Sequence, residues 1–129
     1  MAAVRYIVHD VARAIDFYRD LLGFKLEMHP APGFAALSLG DLRLYLNAPG
    51  AGGAGRAGGA PEPGGWNRFQ LEVSDLEALR GSLQAAGATF RGDLAQGQGG
   101  DQILVEDPSG NVVELFEPTS RPRSAQPGR

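Results

Sequence analysis

The 129-residue sequence contains no cysteine, only two histidines and no excess of basic residues. Without cysteine, the chain can form no disulfide, no thiolate metal site and no cysteine nucleophile. A formal net charge of −3 argues against nucleic acid as the main partner, because phosphate binding needs a basic surface. No apolar run approaches the length of about 18 residues that a membrane span needs, and the N-terminus does not resemble a signal peptide. We therefore expect a cytoplasmic protein with neither membrane nor nucleic-acid partners.

The sequence does contain the same unit twice. The first half has a β-rich run AVRYIV, then Asp10 as a helix N-cap, the helical pattern VARAIDFYRDLL and Gly23 as its stop. Three further β-rich runs follow: FKLEMH, FAALSL and LRLYLN. The second half repeats this order with RFQLEV, the N-cap Asp75, the helix LEALRGSLQAA, the stop Gly87, and the strands ATFRG, DQILVE and VVELFE. The pattern predicts an internal repeat of a strand, a helix and three strands.

A run of Gly, Ala and Pro separates the two halves. Residues 48–65, APGAGGAGRAGGAPEPGG, have the composition of a flexible linker. Residues 50–55 formally match G-x-G-x-x-G, but no helical pattern follows, so we interpret the match as accidental. The predicted organisation is a first module at 1–47, the linker at 48–65, a second module at 66–118 and a disordered tail at 119–129.

Side chains alternate along a strand, so each predicted strand has two faces. In the four strands that open or close a module, one face is apolar or aromatic and suits burial under the helices: Val4, Tyr6, Val8, Leu42, Leu44, Leu46, Phe69, Leu71, Val73, Val113 and Leu115. The opposite face is polar and carries Ala3, Arg5, Ile7, Arg43, Tyr45, Asn47, Arg68, Gln70, Glu72, Val112, Glu114 and Phe116. Such a face is either solvated or lines a binding cup.

Glu114 lies at the centre of the last predicted strand, with Val112 and Phe116 on either side of it on the polar face. Desolvating a lone carboxylate is costly unless it is paired, hydrogen-bonded or bound to a metal. We therefore expect Glu114 to have a specific partner, and it is the candidate catalytic residue if the chain is an enzyme.

The stretches DVARAIDFYRDLLGF, DLEALRGSLQAAGA and EDPSGNVVELFEP resemble the vicinal oxygen chelate superfamily, which includes glyoxalase I, extradiol dioxygenases and bleomycin-resistance proteins. The resemblance covers residues 2–118. It implies an α+β fold of two βαβββ modules that form an open, cleft-bearing barrel as one domain, usually in a homodimer. Enzymes of this superfamily typically bind a divalent metal through the first and last strand of each module.

The metal-ligand positions that the resemblance implies correspond in this sequence to Ala3, Tyr45, Arg68 and Glu114. Only Glu114 is a suitable ligand, whereas catalytic metal sites normally need about three protein ligands. The two histidines, His9 and His29, do not form a paired metal pattern. We expect no cofactor, with a divalent metal only under the enzyme alternative below. The family fold places Arg68 on a strand next to Glu114, so we expect these two side chains to pair.

Three functions stay open. The leading prediction is a metal-independent protein, similar to resistance proteins, that binds a small polar, anionic or aromatic ligand through Arg5, Arg43, Tyr45, Arg68, Gln70 and Phe116, with Trp66 as a further ring for stacking. The excess of arginine over glutamate on the polar face favours an acidic or phenolic ligand. The alternative is a lyase, isomerase or dioxygenase that uses Glu114 with a divalent metal or as a general base. The third is a scaffold or regulatory dimer whose polar faces are inert.

Overall fold

The computed structural model describes residues 2–51 and 58–119, and these residues form eight strands, two α-helices and a π-helix. In chain order they are β1 (Ala3–Ile7), α1 (Val11–Asp16), the π-helix (Phe17–Leu21), β2 (Lys25–Ala31), β3 (Phe34–Leu39), β4 (Leu42–Asn47), β5 (Arg68–Glu72), α2 (Leu76–Ala85), β6 (Thr89–Gln96), β7 (Gly100–Glu106) and β8 (Val112–Pro118). Within this described part, no helix is long and apolar enough to cross a membrane.

The two modules form four-stranded sheets with the same strand order. The order is β1-β4-β3-β2 in the first sheet and β5-β8-β7-β6 in the second. In both sheets the opening strand pairs in parallel with the closing strand, and the other pairings are antiparallel. The edge strands of a sheet do not pair with each other in the described ranges, so neither sheet closes into a barrel. The predicted α+β fold of two βαβββ modules is confirmed.

The chain divides into two compact units. One comprises Met1–Asn67 and Asp107–Asn111, and the other comprises Arg68–Glu106 and Val112–Arg129. The turn between β7 and β8 therefore belongs to the first unit, although both strands belong to the second. The middle of the predicted linker, residues 52–57, and residues 120–129 of the predicted tail lie outside the described residues.

Both α-helices begin at the predicted N-caps. The side chains of Asp10 and Asp75 each accept a hydrogen bond of 3.1 Å from the backbone N–H three residues later. Each carboxylate thus satisfies an N–H that has no partner within the helix. Gly23 and Gly87, the predicted stops, both have a φ of 81°, a conformation that strains residues with a Cβ atom.

The first helix differs from the regular pattern that the sequence predicted over residues 11–22. It is α-helical only over Val11–Asp16 and continues as a π-helix over Phe17–Leu21. The wider π-turn shifts the register by about one residue, so that Phe17 and Tyr18 are both buried and meet edge to face. Leu22, which the 3.6-residue spacing placed on the buried face, is only partly buried.

The edge strands β2 and β6 extend beyond their predicted ends. Strand β2 runs to Ala31, two residues past His29, where the predicted run FKLEMH ends. Strand β6 continues past Gly92 to Gln96. The pairing of each with its neighbour contains register shifts. Such bulges let an edge strand continue through residues that interrupt the alternating pattern.

The core of each unit lies between its helix and the apolar face of its sheet. Helix α1 contacts β3 and β4, and α2 contacts β8. Most of the predicted apolar face is buried: Tyr6, Val8, Leu44, Leu46, Phe69, Leu71, Val113 and Leu115. The exceptions are Val4, Leu42 and Val73, which lie near strand ends and are only partly buried. This packing turns the opposite, polar face of each sheet away from the core.

Candidate functional site

The polar face of the second sheet has Glu114 at its centre with both carboxylate oxygens occupied. Arg68 donates from Nε to Oε1 at 3.0 Å, and Gln70 donates from Nε2 to Oε2 at 2.7 Å. The side chain of Glu114 is 12% exposed and that of Arg68 is 35% exposed. We call Arg68, Gln70 and Glu114 the carboxylate cluster. Its negative charge is neutralised within the sheet itself.

The sequence predicted the contact between Arg68 and Glu114 but not its geometry. In the parallel pairing of β5 with β8, Gln70 lies directly opposite Glu114, and Arg68 lies opposite Val112. Arg68 therefore reaches diagonally to Glu114, while Gln70 supplies the direct cross-strand bond. The signal for Gln70 was present, because a residue two positions from Arg68 shares its face.

The polar face of the second sheet carries a further ion pair. Arg91 on β6 donates to Glu106 on β7 at 2.7 Å, a pair that the sequence analysis missed. Val112, predicted on the polar face, is fully buried. Phe116, predicted to contact a ligand, packs against Gly100, where an added Cβ would lie 2.8 Å from the ring. Gly100 is required there mainly because the same Cβ would lie 2.2 Å from the backbone oxygen of Glu117, which cannot move aside as a side chain can.

The polar face of the first sheet centres on Arg5. Its Nη1 donates a hydrogen bond to Oδ1 of Asn47. Asn47 is buried, with only 2% of the residue exposed. The guanidinium carbon lies 5.1 Å from the centroid of the Tyr45 ring, within the range of a cation–π contact. The Tyr45 ring in turn lies 5.8 Å from that of Phe34. We call Arg5, Tyr45, Asn47 and Phe34 the arginine–tyrosine cluster.

Arg43, the second predicted cation of the first face, is exposed and lies opposite Ala3 in the pairing of β1 with β4. It lies near Glu27, whose carboxylate accepts a hydrogen bond from Ser38 at 2.5 Å. That hydrogen bond, supported by the charges of Lys25 and Arg43, lowers the pKa of Glu27 below its ordinary value. Glu27 therefore stays anionic, and its charge offsets part of the positive charge of Arg43.

The side chains at the four implied metal positions do not fit a divalent metal. Ala3 has no donor atom, and Tyr45 lies beneath the Arg5 guanidinium. The cation Arg68 and the amide of Gln70 take both oxygens of Glu114. Over the described ranges, no three His, Asp or Glu side chains are placed to hold a metal ion together. The donor set is therefore one carboxylate, already bound, where a metal needs about three ligands.

The two histidines lie apart from the polar faces. His9 follows β1 and is exposed, and its backbone N–H donates to Oγ of Ser109 at 2.8 Å. His29 lies on β2 and borders an open depression together with Asp10 and four alanine or proline residues. Trp66, predicted as a stacking ring, is exposed just before β5.

The turn Asp107–Asn111 holds a buried hydrogen-bond network that the sequence analysis did not predict. Oδ2 of Asp107 accepts from the hydroxyl of Tyr18 at 2.8 Å and from Asn111 at 3.1 Å, and Oδ1 accepts from the backbone of Ser109 at 2.8 Å. Asn111 also donates to the carbonyl of Ile7 at 2.8 Å. Burial first, and the charge of Asp107 second, raise the pKa of Tyr18 well above its ordinary value. The network holds the turn Asp107–Asn111 in place through side chains of its own unit.

Comparison with known proteins assigns the family. A family model described as the Glyoxalase/Bleomycin resistance protein/Dioxygenase superfamily matches residues 1–115. The chain belongs to this superfamily, and the predicted family is confirmed.

Three similar proteins illustrate the range of the family. The chain is 28% identical over 120 residues to a bleomycin resistance protein of Geobacillus stearothermophilus, covering 85% of this chain and 90% of that protein. The structure of an antibiotic-binding protein from Streptomyces sp. CB03234 is similar with a TM-score of 0.68 and 26% identity, covering 91% of this chain and 93% of that one. A glyoxalase-related enzyme from Fulvimarina pelagi has a TM-score of 0.76 at 19% identity, covering 91% and 86%, which is a likeness of fold alone.

Proposed function

We propose that this protein binds a small molecule at the polar faces of its sheets and does so without a metal ion. The observation that carries the proposal is the hydrogen bonding of Glu114, whose two oxygens accept from Arg68 at 3.0 Å and from Gln70 at 2.7 Å. A carboxylate held in this way is neither a free metal ligand nor a free base. The relatives named for bleomycin resistance and antibiotic binding support small-molecule binding in this fold.

The ligand-binding residues of the proposal are those predicted from the sequence. Arg5, Arg43 and Tyr45 supply charge, hydrogen-bond donors and a ring on the first face, and Arg68, Gln70 and Phe116 lie on the second. A site with a few placed polar groups beside aromatic rings is typical of small-molecule recognition. A cytoplasmic location and a homodimer belong to the same proposal, and the family resemblance supports the dimer.

The enzyme alternative needs Glu114 to act as a base or as a metal ligand. Either role requires that Arg68 and Gln70 first release it, and this costs the hydrogen bonds that now balance its charge. The similarity to a glyoxalase-related enzyme concerns the fold alone, and it does not assign a reaction to this chain. Ligand binding is therefore the function that the geometry favours.

A small-molecule screen by thermal shift tests the proposal. A compound that binds only the folded chain stabilises it by about 2.7 kcal/mol at 100 times its Kd. We expect the same rise in melting temperature with EDTA as with added zinc or manganese. A rise that appears only with the metal would contradict metal-free binding.

The enzyme alternative is separated by two carboxylate variants on the same face. Glu114→Gln removes the central charge, and Glu72→Gln removes an exposed charge opposite Phe116 in the same sheet. Turnover of a bound compound that is lost in Glu114→Gln and kept in Glu72→Gln would establish the enzyme. We expect no turnover in the parent chain and ligand binding in both variants.

A further inference from the structure

Within the described residues 2–51 and 58–119, the partners of Arg5 are neutral and include no carboxylate. Its side chain donates a hydrogen bond to the amide oxygen of Asn47, and its guanidinium lies over the Tyr45 ring. In the part of the chain that the structure describes, the ion pairs involve other arginines and not Arg5. A guanidinium has five N–H donors, and the bond to Asn47 uses one of them. Arg5 as a residue is exposed, so its remaining donors are available to a ligand.

The position of Arg5 differs from that of an ordinary surface arginine. Asn47 is buried and lies at the end of β4, so the oxygen that accepts from Arg5 is fixed by the strand. The ring of Tyr45 supports the guanidinium from the sheet side. Two rigid contacts reduce the side-chain entropy that an incoming anion would otherwise have to offset. The guanidinium is therefore preorganised for bidentate binding of a planar anion.

The residues beside Arg5 form an apolar path across the sheet. Tyr45 lies opposite Arg5 in register, Ala36 lies opposite Tyr45, and Met28 lies opposite Ala36. The four side chains thus cross the sheet in one row, about 14 Å long at the usual strand spacing. Along the row lie the cation of Arg5, the ring of Tyr45, the buried methyl group of Ala36 and the side chain of Met28, a residue that is 53% exposed. A flexible thioether at the far end adapts to the apolar end of a ligand.

The geometry points to a ligand class: a flat aromatic acid, with its carboxylate on Arg5 and its ring system along Tyr45, Ala36 and Met28. This inference rests on the proposed function and names the kind of small molecule that the first face selects. Arg43, two residues before Tyr45 on the same face, adds positive charge to that end of the row, part of which the carboxylate of Glu27 offsets. Ala3 opposite Arg43 has only a methyl group, so the approach to the two cations is not blocked by a bulky residue.

The test is a titration of the full chain, followed by amide NMR, with four matched probes. They are 2-naphthoate, its neutral analogue 2-naphthamide, its cationic analogue 2-naphthylmethylammonium and its ring-saturated analogue decahydro-2-naphthoate. We expect 2-naphthoate to shift amides of β1, β4 and β2, and to bind roughly tenfold or more tightly than either the amide or the ammonium compound, as the loss of a charge-assisted pair predicts. Decahydro-2-naphthoate should also bind more weakly, because its puckered rings cannot lie flat along the row beside Tyr45.

Variants test whether Arg5 itself is responsible for the preference for naphthoate. Arg5→Met should weaken naphthoate binding about tenfold and leave naphthamide binding unchanged, and Arg5→Lys should fall between, since it keeps the charge but loses the fork of donors. Arg13→Met is the matched control, because it removes the same charge from an exposed position on α1. It should leave naphthoate binding unchanged.

Three outcomes would overturn the inference. They are equal affinity for the acid, the amide and the ammonium compound, an equal loss of naphthoate binding in Arg5→Met and Arg13→Met, or naphthoate shifts that are absent or confined to the second sheet. In each case binding of some other compound in the thermal-shift screen would leave the proposed function standing. A screen in which no compound binds would instead contradict the proposed function itself.

Discussion

The two sheets have the same strand order, but the charged side chains at the centres of their polar faces have different partners. On the first face Arg5 lies opposite Tyr45, and its partners are a neutral amide and a ring. At the matching place on the second face Gln70 lies opposite Glu114, and Arg68 neutralises the carboxylate. The first face presents the positive charge of Arg5 to solvent, whereas on the second face Arg68 and Gln70 already occupy the carboxylate of Glu114.

This difference shows how one repeated backbone carries two arrangements of charge. Ala3, Arg5 and Tyr45 in the first module occupy the positions that Arg68, Gln70 and Glu114 occupy in the second. The cation lies two residues earlier on the opening strand of the second module, and glutamate replaces tyrosine on the closing strand, so that the second face has an internal ion pair and the cation of the first face has neutral partners. The fold sets the positions, and these few side chains decide what each face can bind.

The turns that join the last two strands of each module differ too. The first is the tight turn at Gly40 and Asp41, both of which are exposed. The second is the longer turn Asp107–Asn111, which is built around a buried carboxylate. Only the second turn depends on a network of buried hydrogen bonds, so the two modules should respond differently to loss of the aspartate.

The largest effect is expected from Asp107→Ala. The change leaves the Tyr18 hydroxyl and the donors of Ser109 and Asn111 buried without their acceptor, which should lower the free energy of unfolding by about 3 kcal/mol. Asp41→Ala is the matched control in the exposed turn and should change it by less than about 0.5 kcal/mol. Urea unfolding measures both, and equal effects would contradict the difference between the turns.

The next effect concerns Tyr18 at alkaline pH. The folded state raises the pKa of Tyr18 above the ordinary value of 10.0, so above that pH the unfolded chain loses a proton that the folded chain keeps. Stability from this group is full below about pH 10 and falls above it, by up to about 1.4 kcal/mol per pH unit. Tyr18→Phe should unfold with a shallower pH dependence above pH 10. An unchanged slope would mean that Tyr18 ionises normally.

A smaller effect is expected within the carboxylate cluster. Glu114→Leu and Arg68→Met should each lower stability by about 1 kcal/mol, and the double variant should lower it by less than the sum, because Arg68 is partly exposed and its pairing is screened. On the first face, Arg5→Met should cost about 1 kcal/mol, because it leaves the buried amide oxygen of Asn47 without its donor. Strict additivity in the double-mutant cycle would show that Glu114 and Arg68 do not depend on each other.

Much of this arrangement follows from local sequence patterns. The repeat, the caps Asp10 and Asp75, the two faces of each strand and the contact between Arg68 and Glu114 all depend on spacing along the chain or on neighbouring strands. The π-helix at Phe17–Leu21 was missed because it arises from the packing of aromatic rings against the core, which a 3.6-residue period does not contain.

The features that were missed depend on contacts between distant residues. Asp107 and Tyr18 are 89 positions apart, and Asn111 and Ile7 are 104 apart. The bond between Gln70 and Glu114 depends on the exact register of a parallel strand pair, which the sequence does not specify. Turn residues such as Asp, Ser, Gly and Asn predict a turn, and they do not indicate whether it is buried.

The most direct test of metal-free binding is elemental analysis of the purified chain, combined with calorimetric titration of zinc, manganese, iron and nickel. The carboxylate cluster predicts no stoichiometric metal and no saturable binding, because Arg68 and Gln70 already hold Glu114. Binding of about one metal ion per chain that Glu114→Gln abolishes, with ligand binding lost on chelation, would contradict the account.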